Sequence, residues 1–89
     1  MPYEYEAART FKKRFRKKDP VRRKAVTEAI RKLTEDPTRP GLQVKRVQSA
    51  VDVVYEASVS RTIRMTFHWE GNKIVLRNNC EHDRVLSSP

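Results

Sequence analysis

The stretch VVYEASVSRTIRMTFHWEGNKIVLRNNC, residues 53–80, decides the fold, because apolar residues recur at every second position through most of it. This period of two is typical of half-buried β-strands. Short turn sequences divide the stretch into three runs, so we predict three consecutive antiparallel strands. The apolar faces that we predict for them are Val53, Tyr55, Ala57 and Val59; Ile63, Met65, Phe67 and Trp69; and Ile74 and Leu76, with Asn78 and Cys80 at the same parity.

The turns between these runs set the register of the strands. Gly71-Asn72 is suited to a two-residue hairpin turn that pairs Glu70 with Lys73. Counted from that turn, the predicted pairs are Trp69 with Ile74, Phe67 with Leu76 and Arg64 with Asn79. The apolar faces of the first two strands match only if an odd number of residues joins them. We therefore predict a three-residue loop or a bulge at residues 60–62.

Two helices and a short strand are predicted ahead of this sheet. Asp19-Pro20 has the composition of a helix start, with a capping side chain and a proline at the first helical position. Pro37 ends that helix, since the residue before a proline avoids helical geometry. The apolar residues that recur along it are Val21, Ala25, Ala29, Ile30 and Leu33.

An earlier, shorter helix is predicted to begin at Thr10 as its N-cap and to bury Phe11 and Phe15 one turn apart. Tyr3 and Tyr5 alternate with glutamates, which predicts an opening strand. The expected architecture is therefore α+β, in the order β-α-α-β-β-β, with an antiparallel sheet packed on a helical hairpin.

Composition limits the class of protein. The 89 residues predict one domain spanning 1–89, with 84–89 as a short C-terminal tail. A formal charge of +9 predicts a polyanionic or acidic partner. The single cysteine fits a reducing compartment, and no apolar run is long enough to span a bilayer, so we expect a cytoplasmic protein with no membrane partner.

The sheet face opposite the helices is expected to be polar, basic and open to a ligand. The residues that we place there are Glu56, Ser58, Arg64, Thr66, His68 and Arg77. RNA is a suitable substrate for such a face, because a ribose 2′-hydroxyl can attack its own phosphate without a metal. That reaction needs a proton acceptor, a proton donor and cations that stabilise the charge on the phosphorane.

Candidate residues exist for these roles. Arg64, in mid-strand, is the predicted charge stabiliser, and Lys45 and Arg46 enter from the segment before the three strands. His82 has a side chain suited to proton transfer near neutral pH, and Asp83 could orient it or pair with an arginine.

The remaining polar residues have simpler interpretations. Arg61 and Arg77 join Arg46 and Asp83 as predicted RNA-binding residues, whereas His68 is interpreted as structural or idle. Cys80 is interpreted as a small packed residue, because its spacing from the two histidines does not resemble a zinc motif. We therefore predict neither a metal nor another cofactor.

Three segments in order resemble the RelE/ParE superfamily of bacterial toxins from type II toxin–antitoxin pairs. They are the link DPTRPGLQVKR, the strand VSRTIRMTF and the end VLRNNCEHDRVL. The resemblance covers the whole chain and implies the same fold, an activity that cleaves mRNA, often on the ribosome, and a cognate antitoxin that wraps the toxin. Arg64 matches the superfamily's central strand arginine, His82 a position near the last strand's end, and Lys45 and Arg46 its basic residues before the second strand.

Two other functions remain open at this point. A ParE-like protein would inhibit DNA gyrase through protein contacts and would need no catalytic residues. A basic module that binds nucleic acid or an antitoxin would have no toxic activity at all. A catalytic set formed by Lys45, Arg64 and His82 on one face favours the ribonuclease.

Overall fold

The computed structural model describes residues 3–47 and 53–81. Its strands are β1 (Glu4–Ala7), β2 (Lys45–Arg46), β3 (Tyr55–Ser58), β4 (Ile63–Glu70) and β5 (Lys73–Glu81). Its helices are α1 (Arg9–Arg16) and α2 (Pro20–Glu35), and a single 3₁₀ turn spans Pro40–Leu42.

The strands form one sheet in the order β1-β5-β4-β3-β2. The β3–β4 and β4–β5 pairs are antiparallel, as the alternation and the Gly71-Asn72 turn predicted. The β2–β3 pair is antiparallel as well, while β1 lies parallel to β5. The predicted α+β architecture is confirmed. The prediction that the sheet is antiparallel is wrong for the first strand, whose parallel pairing with β5 makes the sheet mixed. The short edge strand at Lys45–Arg46 was not predicted.

The helix starts differ in how well the sequence predicted them. The Asp19 carboxylate caps α2 by accepting a hydrogen bond from the Arg22 amide at 2.8 Å, and the helix ends at Glu35, two residues before Pro37. The prediction that Thr10 caps α1 is wrong, because the helix already begins at Arg9. The Ala8 amide donates to the Leu76 carbonyl at 2.8 Å, so the chain passes directly from β1 into the helix.

The helices cover one face of the sheet. The buried cluster between them contains Phe11, Val26, Ala29, Leu33, Leu42, Ala57, Met65, Phe67, Ile74 and Leu76. Val21 and Val53 do not join it, contrary to prediction, and are 80% and 51% exposed. Val21 lies in the first turn of α2, and Val53 precedes the start of β3, so neither lies over the sheet.

A bulge in β5 changes the register that was predicted beyond Leu76. The pairs of Trp69 with Ile74 and Phe67 with Leu76 are confirmed, but Thr66 pairs with Asn78 and leaves Arg77 as the extra residue. Arg64 consequently lies opposite Cys80, and the prediction of Asn79 is wrong.

The same bulge reverses which residues of β5 point towards the helices. One inserted residue exchanges the two faces of a strand. Asn79, rather than Asn78, therefore shares the helix side, where it is fully buried and its Nδ2 donates to the Phe11 carbonyl at 2.9 Å. The β3–β4 connection is the predicted three-residue loop, since Ser58 pairs with Arg64 and the Val59 amide donates to the Ile63 carbonyl at 3.0 Å.

Candidate nucleic-acid interface

The outer face of the sheet, opposite the helices, is organised in rows that cross the strands. Lys45, Glu56, Thr66 and Asn78 form one row, because each residue is the register partner of the next. The neighbouring row contains Ser58, Arg64 and Cys80. On the other side His68 pairs with Val75. The face that the sequence alternation predicted is therefore correct for most of the outer residues.

This face is less open than predicted. Glu56 is 4% exposed and Thr66 is fully buried, and Val54, Val75 and Asn78 are buried as well. β3, β4 and β5 are interior strands, so the neighbouring strands on both sides help to bury these side chains. Access is retained where the longer basic and imidazole side chains lie, and these are exposed or half-buried: Lys45, Arg64, His68 and Arg77.

Arg64 is anchored to the loop that precedes its strand. Its Nη1 donates to the Ser60 carbonyl at 2.8 Å and to the Ile63 carbonyl at 3.3 Å. Within the described part of the chain, no hydrogen bond uses its Nε or Nη2. A half-buried guanidinium that is fixed at one nitrogen can still present its other N–H groups to a phosphate.

Lys45 is paired with a shielded carboxylate. Its Nζ lies 3.4 Å from the Glu56 carboxylate, and the two side chains are 65% and 5% exposed. Glu56 is also the diagonal neighbour of Arg64, since Ser58 is the register partner of Arg64. Such diagonal neighbours have Cβ atoms roughly 7 Å apart. Glu56 was predicted to share the outer face with Arg64, but no role was predicted for it.

A second basic cluster lies at the bulge. The Arg77 Nη1 is 3.2 Å from the His68 Nδ1. Because an arginine can only donate, Nδ1 accepts this bond and the imidazole proton resides on Nε2. That Nε2 lies 3.7 Å from the Glu70 carboxylate. His68, which was interpreted as structural or idle, therefore has a structural role and orients Arg77.

The other predicted site residues do not all lie near Arg64 and Lys45. Arg61 is exposed in the three-residue loop beside Arg64. Arg46 pairs with Tyr55 and so has the parity of the helix side, which separates it from Lys45. His82, Asp83 and the tail at 84–89 lie outside the described residues, so their predicted roles stay predictions.

A large apolar groove lies on the opposite side of the molecule, between β1, α1 and α2. Its volume is about 640 Å³, and its apolar lining includes Tyr5, Ala7, Phe11, Phe15, Ile30 and Leu76. Lys12 and Arg16 add positive charge to it. Arg31 also reaches the groove, but the hydrogen bonds that it donates to the Glu28 and Glu35 carboxylates raise the pKa of its guanidinium and compensate its charge.

The described residues offer neither a cluster of metal ligands nor a membrane-spanning helix. Among residues 3–47 and 53–81, no three histidine, cysteine or acidic side chains lie close enough together to hold a metal ion. Over those same ranges, neither helix has the length and apolar character required to cross a bilayer.

Solved structures share this arrangement over nearly the whole chain. A chain of the RelBE2 toxin–antitoxin complex from Mycobacterium tuberculosis has a TM-score of 0.76 and 19% identity, over 92% of this chain and 100% of that one. A chain of the archaeal RelE–RelB complex from Pyrococcus horikoshii gives 0.74 and 17%, over 94% and 99%. YafQ from E. coli gives 0.64 and 15%, over 93% and 97%.

These similarities define the fold. No protein-family model and no curated protein sequence matches this chain. The mixed five-stranded sheet on a helical hairpin is the fold of small toxins from toxin–antitoxin pairs. In particular, it is the RelE/ParE fold that the three sequence segments resembled.

Proposed function

We propose that this protein is the toxin of a type II toxin–antitoxin pair and that it cleaves mRNA, on the ribosome, without a metal. The RelE/ParE fold and the +9 charge support the toxin role and a polyanionic target. The observation that carries the catalytic part is the anchored guanidinium of Arg64, which shares the outer face with Lys45. mRNA on the ribosome is a cytoplasmic target.

In the proposed reaction, the ribose 2′-hydroxyl gives its proton to a solvent water as its oxygen forms a bond to the adjacent phosphorus, and the bond from phosphorus to the 5′-oxygen breaks. A 2′,3′-cyclic phosphate and a 5′-hydroxyl are the products. Negative charge grows on the non-bridging oxygens as the phosphorane forms, and cations that are already in place stabilise it without reorganisation. Arg64 supplies that charge through the N–H groups that its backbone contacts leave available.

Lys45 and His82 complete the proposed site. Lys45 adds a second positive charge, and Glu56 positions it through the 3.4 Å ion pair. Glu56 is a positioning residue, because its burial keeps it from the substrate. His82 transfers a proton to the leaving 5′-oxygen, which is a role suited to an imidazole near neutral pH.

The proposed antitoxin occupies the apolar groove between β1, α1 and α2. An amphipathic segment that covers Phe15 and Ile30 with apolar side chains and places acidic residues near Lys12 and Arg16 matches the groove in polarity and charge. Ile30→Glu should weaken binding to the antitoxin encoded by the adjacent gene. Val21→Glu, which adds the same charge at an exposed position of the same helix, should not. Equal binding by both variants would exclude this groove.

Induction in growing cells tests the main proposal. Primer extension should reveal new 5′ ends inside coding regions soon after induction of the wild type, and none after induction of Arg64→Ala at equal protein level. DNA breaks or altered supercoiling with intact mRNA would instead identify a gyrase inhibitor. Growth without either effect would identify a non-toxic binding module.

A further inference from the structure

A pocket of about 440 Å³ opens where α1 meets the outer side of β4 and β5. Its lining contains Thr10, Arg14, His68, Val75, Arg77 and Asn78. α1 continues past the end of β1 along β5, so the side of the helix that carries Thr10 and Arg14 borders the outer face, while Phe11 points into the core.

The charge in this pocket is positive. Two guanidiniums enter it from different elements, Arg14 from α1 and Arg77 from β5, and no carboxylate appears among its described lining residues. Glu70 contacts only the Nε2 side of His68, at 3.7 Å, and does not line the pocket. Two half-buried guanidiniums without a carboxylate in the same pocket are well suited to a phosphate.

The backbone supports the same ligand in two ways. The bulge holds Arg77 outside the regular ladder, where its Nη1 reaches the His68 Nδ1 at 3.2 Å. Bulges next to functional sites commonly re-aim a side chain in this manner. In addition, α1 has no side-chain cap and no acidic residue in its first turn, so the amide groups at its start add partial positive charge beside Thr10.

We infer that this pocket, formed by Arg14, Arg77 and His68, binds a backbone phosphate of the RNA at a distance from the reacting one. The inference rests on the proposed function and deepens it. His68 and Arg64 project from the same face of β4, four residues apart, which places them about 13 Å from each other. A single strand crosses that distance in a few nucleotides, so one RNA segment contacts both sites and is held in a fixed direction along the sheet.

Binding of a non-cleavable RNA tests the inference independently of catalysis. The probe is a short single-stranded oligonucleotide with 2′-O-methyl riboses, and its affinity is measured against salt concentration. Each lost phosphate contact should lower the log–log salt slope by about 0.7 on a single strand. Arg14→Gln and Arg77→Gln should each show that decrease, while Arg14→Lys should retain the wild-type slope. Arg22→Gln, the same change on the exposed start of α2, should leave it unaltered.

A second measurement locates the phosphate. One neutral methylphosphonate is moved along the oligonucleotide, and a single position, separate from the one that faces Arg64, should weaken wild-type binding but not binding by Arg14→Gln. The inference would be overturned if Arg14→Gln and Arg77→Gln had the same salt slope as Arg22→Gln. It would also be overturned if the wild type did not bind the oligonucleotide. Unchanged RNA slopes with weaker antitoxin binding would overturn it in favour of a protein contact. The predicted slopes without any cleavage of unmodified mRNA would uphold the subsite and contradict the proposed function.

Discussion

The guanidinium of Arg64 donates a 2.8 Å hydrogen bond to the carbonyl of Ser60, four residues earlier in the chain. This bond ties the central outer residue of β4 to the loop that carries Arg61. The loop is also closed by its own contact, in which the Ile63 amide donates to the Ser60 hydroxyl at 3.3 Å. A cation that is held before substrate arrives requires no reorganisation during the reaction.

Arg64→Ala should reduce RNA cleavage about a hundredfold or more, by analogy with the loss of one oxyanion-hole donor. The fold should survive, because Arg64 is on the outer face and its truncation opens no cavity in the core between the helices and the sheet. Cleavage rates on ribosome complexes with saturating mRNA would measure the effect. An unchanged rate in a folded variant would remove Arg64 from the site.

The pair formed by Lys45 and Glu56 predicts unequal effects on stability and on activity. Lys45→Met leaves the shielded Glu56 carboxylate without its ammonium partner, so it should cost about 3 kcal/mol of unfolding free energy and should also lower cleavage. Glu56→Gln keeps the shape of the shielded side chain but releases Lys45, and should also lower cleavage. Urea unfolding and single-turnover rates separate the two quantities.

The double variant of this pair provides the control. If Glu56 acts through Lys45, adding Glu56→Gln to Lys45→Met should produce little further loss of activity. If the loss of activity in the double variant equalled the product of the two single losses, Glu56 would have a role of its own.

Leu76→Ala should fail through unfolding rather than through chemistry. Leu76 is fully buried against Phe67 and the helices, so the cavity should cost about 2–5 kcal/mol. Thermal melting should detect the loss directly. Residual activity at low temperature should be proportional to the folded fraction, which distinguishes this variant from Arg64→Ala.

Asp36 should make stability depend on pH in the acid range. Hydrogen bonds from the hydroxyl of Thr38, at 2.6 Å, and from its amide, at 3.0 Å, hold the pKa of the Asp36 carboxyl below its usual value of 3.8. Since the folded-state pKa is the lower one, this stabilisation is present above the unfolded-state pKa and is lost as pH falls through the folded-state pKa. Asp36→Asn should therefore lower the urea midpoint at pH 7, and the difference from wild type should shrink below pH 3.8. A difference that is constant over this range would contradict the assignment.

The sequence predicted the fold well where its patterns are local. The Asp19-Pro20 helix start, the Gly71-Asn72 turn and the three-residue loop at 60–62 each depend on neighbouring residues, and all three are present. The bulge at Arg77 was not predictable in this way. It has no turn sequence, and it becomes visible only when Thr66 pairs with Asn78 across the strands.

The site was harder to predict than the fold for the same reason. The alternation of side chains along the strands predicted that Arg64 and Lys45 share one face. It could not predict that Glu56 is shielded, because burial depends on the strands to either side. Arg14 was missed because its contribution depends on α1 passing the edge of β5, which no local pattern reveals. His68 was set aside because its partner, Arg77, is nine residues away along the chain.

The most direct test of the proposed ribonuclease uses purified protein and ribosomes programmed with a defined mRNA, in the presence of a metal chelator at a concentration that keeps ribosomes intact. We predict cleavage to a 2′,3′-cyclic phosphate and a 5′-hydroxyl, abolished by a single 2′-deoxyribose at the cleaved nucleotide and by Arg64→Ala. Cleavage that persists with the deoxyribose, or intact mRNA with folded wild-type protein bound to the ribosome, would contradict it.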